Sequence, residues 1–562
     1  MKKIPIGISD FRIIRTNQEL LYVDKTELIS EFLDDPSMVV LITRPRRFGK
    51  TLNLSTLRYF FDQENASENQ KLFADLKVSQ NKIAMAEQGS RPVIYLTFKD
   101  CKERSWDFLF SKIKEVLSQA SLELANLIEP KINQIEWKKL LAIRRSEADE
   151  PLLSNALRVL SQSAFEQYNQ SPLILIDEYD VPLQAAWTEG YYEEAIVFFR
   201  NFFSSGFKDN PYLWRGVITG CLRVARESMF TGMNNLLVST VASKNYSSHF
   251  GLTVPEVDSL LKDYNLLPNK QKIEAWYNGY MFGETVVYNP WSILNMLKEG
   301  GEFQTYWANT SGNDLVKQIL GRSGVDAKKD LEDLMAGGTI TVPLQEQVVF
   351  QEIENSPANL WNFLFFTGYL KAVSQKFTDE HNLIELKIPN LEVKRVFHDS
   401  IRYWFEQKKS LSHLHSLKRS LQMGDTEEFT LILQKLTSDS LSYFDAVGDE
   451  PEKFYHGLVL GLIVSFSDTW HIRSNRESGF GRCDILMTPK DPAHFGIVME
   501  LKTHHPTLES DLSATAKRAM DQIEKRQYEQ ELISQGTTKI LKMGIGFLGK
   551  RLEILSKISE LN

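Results

Sequence analysis

Arg44-Pro45-Arg46-Arg47-Phe48-Gly49-Lys50-Thr51 decides how this chain is read. The stretch follows the apolar run Met38-Val39-Val40-Leu41-Ile42, which predicts a short buried strand, and it opens residues 52–61, whose apolar positions recur at helical spacing. Strand, loop and helix in that order make the setting of a phosphate-binding loop. The amides of Gly49, Lys50 and Thr51 then stand at a helix N-terminus and face phosphate oxygens, Lys50 reaches the β/γ-phosphates, and the Thr51 hydroxyl holds Mg²⁺. One position departs from GxxxxGK[ST]: the leading glycine is Arg44. Read alone, the same residues also describe a basic loop capping an ordinary helix.

A second stretch favours the first reading. Leu173-Ile174-Leu175-Ile176-Asp177-Glu178 is an apolar strand ending in two acids, entered through Ser171-Pro172 and far enough downstream for a crossover. In a nucleotide-hydrolysing P-loop protein Asp177 positions Mg²⁺ and Glu178 polarises the attacking water.

At 562 residues, 42% hydrophobic and 25% charged, the chain is too long for one core, and two to four domains are expected. A net charge of −8 excludes a strongly basic nucleic-acid binder as a whole, though not a local groove. Cys101, Cys221 and Cys483 lack CxxC spacing, so neither a zinc site nor a disulfide framework is indicated, and a cytoplasmic location is expected. The N-terminal basic residues precede no continuous apolar core. The longest apolar stretch, 457–466, is too short to span a bilayer, so neither an export signal nor a membrane span is expected.

In chain order, Asp10-Phe11-Arg12-Ile13-Ile14-Arg15 and Tyr22-Val23-Asp24-Lys25-Thr26 come first, with Thr26 placed to cap a helix over 27–33. The run from Phe11 through Tyr22-Val23-Asp24-Lys25-Thr26 to Arg44-Pro45-Arg46-Arg47-Phe48-Gly49-Lys50-Thr51-Leu52 resembles the bacterial AAA-ATPase-like family, which carries RPRRFGKT where other P-loops lead with glycine. The resemblance implies an ATP site built from Arg46, Arg47, Phe48, Gly49, Lys50, Thr51 and Asp177, with Thr51 and Asp177 on Mg²⁺ and Glu178 catalytic. Residues 91–98 predict a second strand, and 106–170 two or three helices. Asp180 suits a helix or turn cap more often than a catalytic group. Residues 213–220 predict a further strand, whose Thr219 is either a γ-phosphate sensor, as in related ATPases, or a turn residue before Gly220. Arg223 and Arg226 suit an arginine finger or a solvated helix face; acting across a subunit interface, they would imply a homo-oligomer.

The blocks Trp276-Tyr277-Asn278-Gly279-Tyr280, Tyr288-Asn289-Pro290-Trp291-Ser292 and Tyr306-Trp307-Ala308-Asn309-Thr310-Ser311-Gly312-Asn313 interleave aromatics with Asn and Gly. They suit either a stacking surface for single strands or packed helical turns, and the sparse lysines and arginines favour packing. The blocks also resemble the same family, where they follow the ATPase core. Loops are expected at Gly337-Gly338 and 352–357, a strand over 383–389, and helix over 393–441 with a break at Gly424-Asp425.

A second constellation lies near the end. Gly479-Phe480-Gly481-Arg482-Cys483-Asp484-Ile485-Leu486-Met487 sets one acid at the start of an apolar strand, and Ile497-Val498-Met499-Glu500-Leu501-Lys502 comes after a turn at 489–492. Period-two geometry puts Glu500 and Lys502 on one face. Asp484 and Glu500 then bind Mg²⁺, or Mn²⁺, with the Leu501 carbonyl as an added ligand, and Lys502 orients the attacking water. A surface hairpin with a Glu/Lys pair fits the bare pattern too. The surroundings, from Glu477 to Arg482, Gln522 and Tyr528 on the next helix, and Gly544-Ile545-Gly546-Phe547, resemble the PD-(D/E)xK nuclease superfamily, with Cys483 where proline stands in the name. That resemblance implies an accessory role for Glu477, phosphate contact for Arg482 and a positioning role for Gln522. Residues 451–562 hold 15 Lys+Arg against 14 Asp+Glu, and only Lys517-Arg518 with Lys525-Arg526 suggest a basic patch.

The expected architecture is α/β throughout: a P-loop NTPase parallel sheet flanked by helices over 1–250, a mostly helical lid or adaptor over 251–390, a helical connector over 391–449, and a restriction-endonuclease-like α/β domain over 450–562. The expected function is ATP binding and hydrolysis coupled to metal-dependent cleavage of DNA, with RNA left open. The alternative is a regulatory ATPase whose nuclease-like domain binds nucleic acid or a partner without cutting.

Overall fold

A computed structural model describes residues 2–124, 131–224, 235–307, 325–335, 337–346, 356–377, 382–397, 411–440, 451–464, 466–478, 481–505 and 509–560. Arg226, residues 308–313, 352–355 and 398–410, and Gly479-Phe480 lie outside them, as do the side chains of Glu477 and Arg482. Val39–Thr43 (β1), Val93–Thr97 (β2), Leu173–Asp177 (β3), Arg215–Gly220 (β4) and Leu236–Ser239 (β5) form a parallel sheet in the order β2-β3-β4-β1-β5. β1, β3 and β4 are buried along their length, which is why β1 and β3 read as unbroken apolar runs instead of alternating ones. β4 lies between β1 and β3. The loop after β1, the acids ending β3 and Thr219-Gly220 ending β4 therefore meet at the carboxyl ends of three adjacent strands, the position where open α/β sheets bind ligands.

Among the described residues, the helices Trp106–Glu123, Gln134–Arg144, Glu150–Ser154 and Ala156–Tyr168 separate β2 from β3. Of the N-terminal helices, Phe11–Thr16 (α1) is capped by Asp10, while Glu27–Asp34 (α2) is not capped by the Thr26 side chain. The Thr26 hydroxyl instead donates to Asp24 (2.7 Å) and accepts from the Val78 amide (3.1 Å), so Asp24-Lys25-Thr26 ties segments together.

The chain divides into two compact units, Met1–Thr310 with Thr341–Val393, and Ser311–Ile340 with Lys394–Asn562. The boundary expected at 250 falls inside the first unit because the phosphate loop is itself packed on residues beyond it. Phe48 sets its ring against Tyr280 and Phe282, at 5.0 and 5.1 Å between centroids, and Gly251 donates to the Phe48 carbonyl. This region also carries strands: Leu252–Thr253 (β6), Tyr280–Phe282 (β7) and Thr285–Tyr288 (β8) pair as β6-β8-β7, and Ile340–Pro343 (β9), Lys371–Phe377 (β10) and Asn382–Lys387 (β11) as β10-β11-β9. Trp276, Tyr277, Tyr280 and Tyr288 are buried, with Trp276 and Tyr277 in ring contact with Phe303. They form a core and not an open stacking surface.

One clasp reaches the loop. The Trp307 indole N–H donates to the Arg46 carbonyl (3.2 Å), while its backbone N–H donates to Glu392 (2.6 Å), whose other oxygen accepts the Ser292 hydroxyl (2.7 Å). Burial pushes the Glu392 carboxyl up to about 7, against the pull of those hydrogen bonds.

In the second unit Trp470–Ser478 (β12), Gly481–Pro489 (β13), Gly496–Thr503 (β14), Lys539–Leu548 (β15) and Arg551–Glu560 (β16) form a sheet in chain order, antiparallel except for the β14/β15 pair. That parallel pair needs a crossover, which the helix Leu512–Arg526 provides. The helix lies close on β15: a Cβ on Gly544 would stand 2.5 Å from the Ala516 carbonyl oxygen and from the Met520 nitrogen. Gln527, at φ 52, ends the helix, so Tyr528 comes after it and does not sit on it. Helices Leu411–Met423 and Thr426–Ser440 break at Gly424, as the sequence predicts, and cover the other face together with Pro451–Val464. Among the described residues, no helix is long and apolar enough to cross a membrane.

Two outcomes are expected. Gly544→Ala sets a methyl against helix backbone, and a loss on the order of 1–3 kcal/mol should lower the urea midpoint of the C-terminal transition; an unchanged midpoint would contradict this contact. Glu392 has a folded-state pKa raised from 4.5 to about 7, so the folded protein holds its proton more tightly than the unfolded chain. Its burial costs nothing below 4.5, weakens stability as pH rises from 4.5 to 7, and above that costs on the order of 3 kcal/mol. Glu392→Gln should flatten the pH dependence of the melting temperature across this window, and an unaltered slope would remove Glu392 as its source.

Candidate active sites

Helix Lys50–Phe61 (α3) begins at Gly49, whose φ of 86 is open to glycine and strained for other residues. A Cβ there would meet nothing within 4 Å, so the backbone conformation and not crowding calls for glycine at the start of α3. Lys50, only 4% exposed, lies across its own loop: Nζ donates to the carbonyls of Arg44 (3.0 Å) and Pro45 (3.2 Å), stands 3.5 Å from Cys221 Sγ and 4.0 Å from Glu178. Burial works to lower its pKa, but the surrounding Cys221, Glu178, Asp180 and Asp177 outweigh it and hold the ammonium charged.

Asp177 joins loop to sheet. One oxygen accepts the Thr51 hydroxyl (2.7 Å) and the other the Thr219 hydroxyl (2.6 Å). Burial, then the neighbouring Glu178, raises its pKa, so the pair with Thr51 offers hard oxygen donors and a charge deficit that a divalent cation would fill. Glu178 adopts φ 56, a left-handed conformation rarely taken by glutamate, which turns the chain beside Lys50.

The three loop arginines divide. Arg44 is fully buried, bonded to the carbonyls of Thr43, Ser239 and Asn245 and to the Ser239 hydroxyl, with Phe250 and Phe282 rings nearby; burial lowers its pKa to about 9. The residue in place of the leading glycine is therefore part of the core. Arg47 is exposed and lies over the Trp291 ring at 4.2 Å. Phe48 also belongs to the core, leaving only its backbone to the site. Arg46 turns inward, bonded to Gln184 (3.3 Å). Beyond the loop, Arg223 pairs with Glu346 at 3.6 Å.

Asp180 does not cap its own helix, Val181–Glu189. Its Oδ2 accepts the Cys221 and Leu222 amides (3.0 Å each) and Gln184 (2.9 Å), fixing the turn that leaves β4, and burial, then Glu178, pushes it up to about 6. Of the two caps the sequence offers, the helix cap is absent and the turn cap is present, on a turn some forty residues away.

At the second site β13 and β14 pair in register up to Ile485 and Met499, then part. The Leu501 amide, free of the β13 ladder, donates instead to Asp484 Oδ2 (2.9 Å), and the Asp484 amide faces Glu500 Oε2 at 3.4 Å. Glu500 is buried, 3.2 Å from Lys502, and accepts from Gln522, which also donates to the Tyr528 hydroxyl (3.1 Å). Burial and then Asp484 push Glu500 up to about 7. Two carboxylates and a strand-edge carbonyl at Leu501 are hard oxygen donors that fit Mg²⁺ or Mn²⁺. Among the described residues no group of three acids, histidines or cysteines suggests a further metal. The sequence reading missed His456: its Nε2 donates to the Asp484 carbonyl (3.0 Å) and lies 3.0 Å from the Ser474 hydroxyl. Cys483 is buried in the core, where its thiol is pushed up, and Arg518 pairs with Glu509 at 2.8 Å.

Residues 5–230 match a family model described as Predicted AAA-ATPase, and residues 450–557 one described as PD-(D/E)XK nuclease superfamily. The chain is also similar to an Azotobacter chroococcum mcd 1 protein named "Uncharacterized protein in vnfD 5'region", 28% identical over 401 residues that span 71% of this chain and 70% of that one. The constellation around Lys50 and Asp177 thus falls within a predicted AAA-ATPase domain, the one around Asp484 and Glu500 falls within a PD-(D/E)XK nuclease superfamily domain, and the chain carries both.

Proposed function

We propose that the first unit binds and hydrolyses ATP with Mg²⁺, that the second cleaves phosphodiester bonds in DNA, and that the first licenses the second. The observation that carries the ATPase half is the double hold on Asp177, by Thr51 of the loop and Thr219 of β4. Lys50 would exchange the Arg44 and Pro45 carbonyls for phosphate oxygens. Thr51 and Asp177 offer oxygens to the cation, Glu178 orients the water and takes its proton, and Thr219 keeps Asp177 in place.

The nuclease half rests on Asp484, Glu500 and Lys502 brought to one strand edge. A divalent cation there would supply a polarised water and offset charge on the scissile phosphate. Asp484 and Glu500 would hold it with the Leu501 carbonyl, Gln522 fixes one Glu500 oxygen, His456 fixes the Asp484 backbone, and Lys502 orients the attacking water. A second reading, a regulatory ATPase whose nuclease-like domain does not cut, is favoured by the near-neutral 451–562 segment and by the Arg518–Glu509 pair, which spends part of its basic patch.

Purified protein incubated with linear, circular and single-stranded DNA and with RNA, with Mg²⁺ or Mn²⁺ and with or without ATP, separates the two readings. Cleavage should vanish in Asp484→Ala, and its ATP dependence should vanish in Lys50→Ala. Glu178→Gln should keep ATP binding and lose about 100-fold or more in hydrolysis. ATP hydrolysis without product on any substrate would favour the switch.

A further inference from the structure

In the proposed ATPase site, Lys50 is the only protein cation so far assigned to the charge that builds on a transferred phosphoryl group. We infer that Arg46 is the second, acting in cis, so that one chain carries a complete ATPase site. The inference rests on the ATPase reading and adds a residue to it.

The other described arginines of the loop and of the turn after β4 are engaged elsewhere. Arg44 is consumed by the core, Arg47 turns outward onto Trp291, and Arg223 is paired with Glu346. Of these, Arg46 is the one hydrogen-bonded into the acid cluster, through Gln184, which donates to Asp180 (2.9 Å); Arg47 feels Glu178 but lies on the Trp291 ring. Its guanidinium donates to Gln184 (3.3 Å); burial works to lower its pKa, but neighbouring Cys221, Glu178 and Asp180 outweigh it and raise it. Lys50 stands 3.5 Å from the same thiol and 4.0 Å from Glu178. Two cations thus neighbour Cys221 and Glu178, the acid proposed to orient water, where that reading would set the terminal phosphate.

The backing is rigid. Gln184 is held by Asp180, the same Asp180 oxygen holds the Cys221 and Leu222 amides, and Trp307 holds the Arg46 carbonyl. Gln184 and the protonated Cys221 thiol, pushed up to about 11 by burial, are neutral partners. Arg46 can exchange these neutral partners for a phosphate oxyanion and gain a charged, forked contact.

The test is steady-state ATPase kinetics on the full chain, with wild type, Arg46→Ala, Arg46→Lys and Arg223→Ala at several protein concentrations. Binding of a fluorescent ATP analogue, and of ADP with aluminium fluoride, is measured alongside. Arg46→Ala should lose about 100- to 1,000-fold in kcat and a similar factor in affinity for the ADP–fluoride complex, with ATP affinity changed less than about tenfold. Retained ATP binding also certifies that this variant is folded. Arg46→Lys should recover little, Arg223→Ala should stay near wild type, and kcat per chain should not change on dilution or on adding excess Lys50→Ala chain. Unchanged kcat in Arg46→Ala, with ATP binding abolished by Lys50→Ala, would overturn the role of Arg46 while leaving the ATPase reading standing. Loss of kcat in Arg223→Ala with concentration-dependent activity would place the arginine in trans and overturn the inference. Failure of wild type to bind ATP would overturn both.

Discussion

A buried carboxylate with two hydroxyl donors from different elements is the constraint on which the first site depends. Asp177 ends β3, Thr51 opens α3 and Thr219 belongs to β4; only the strand order β3-β4-β1 brings the three together. A carboxylate removed from water is costly unless it is hydrogen-bonded, so each hydroxyl stabilises the acid and is fixed by it. The phosphate loop thereby inherits its position from the sheet. Arg44 secures the other end in the same manner, binding carbonyls of β1 and of the segment after β5.

The second site solves a similar problem with fewer parts. Where β13 and β14 separate, the Leu501 amide would lose its partner in a buried strand, and Asp484 supplies one. The acid is held where the ladder opens, and the opening gives its neighbour Glu500 room to approach. Because the two carboxylates crowd each other in a dry place, their charge is tolerated through Lys502 and Gln522, the first by Coulomb attraction and the second by a hydrogen bond.

Much of this was legible in the sequence. Period-two spacing correctly placed Glu500 and Lys502 on one face, and the apolar runs before Thr43 and Asp177 became buried parallel strands, because a strand covered on both faces has no alternative but continuous hydrophobicity. What stayed hidden depends on contacts between distant segments. Nothing near Arg44 says that it belongs to the core, since its partners lie nearly two hundred residues away; nothing near Asp180 says that it holds residues 221 and 222; and His456 carries no motif. Thr26 misled for the opposite reason, its local pattern being that of a cap while Asp24 and Val78 claimed its hydroxyl.

The Trp307–Arg46 bond also bears on the order of events during synthesis. Domains fold largely as they emerge, N-terminal parts first, yet residues 44–48 lean on partners as late as Trp307, itself held by Glu392. A nascent chain that has released only the first sheet has this loop without its support, and the contacts that back it are complete only near residue 393, where the first unit closes. Strands β12–β16 are made after that point. On the ribosome, then, the C-terminal sheet arrives on a chain whose first unit has already been completed.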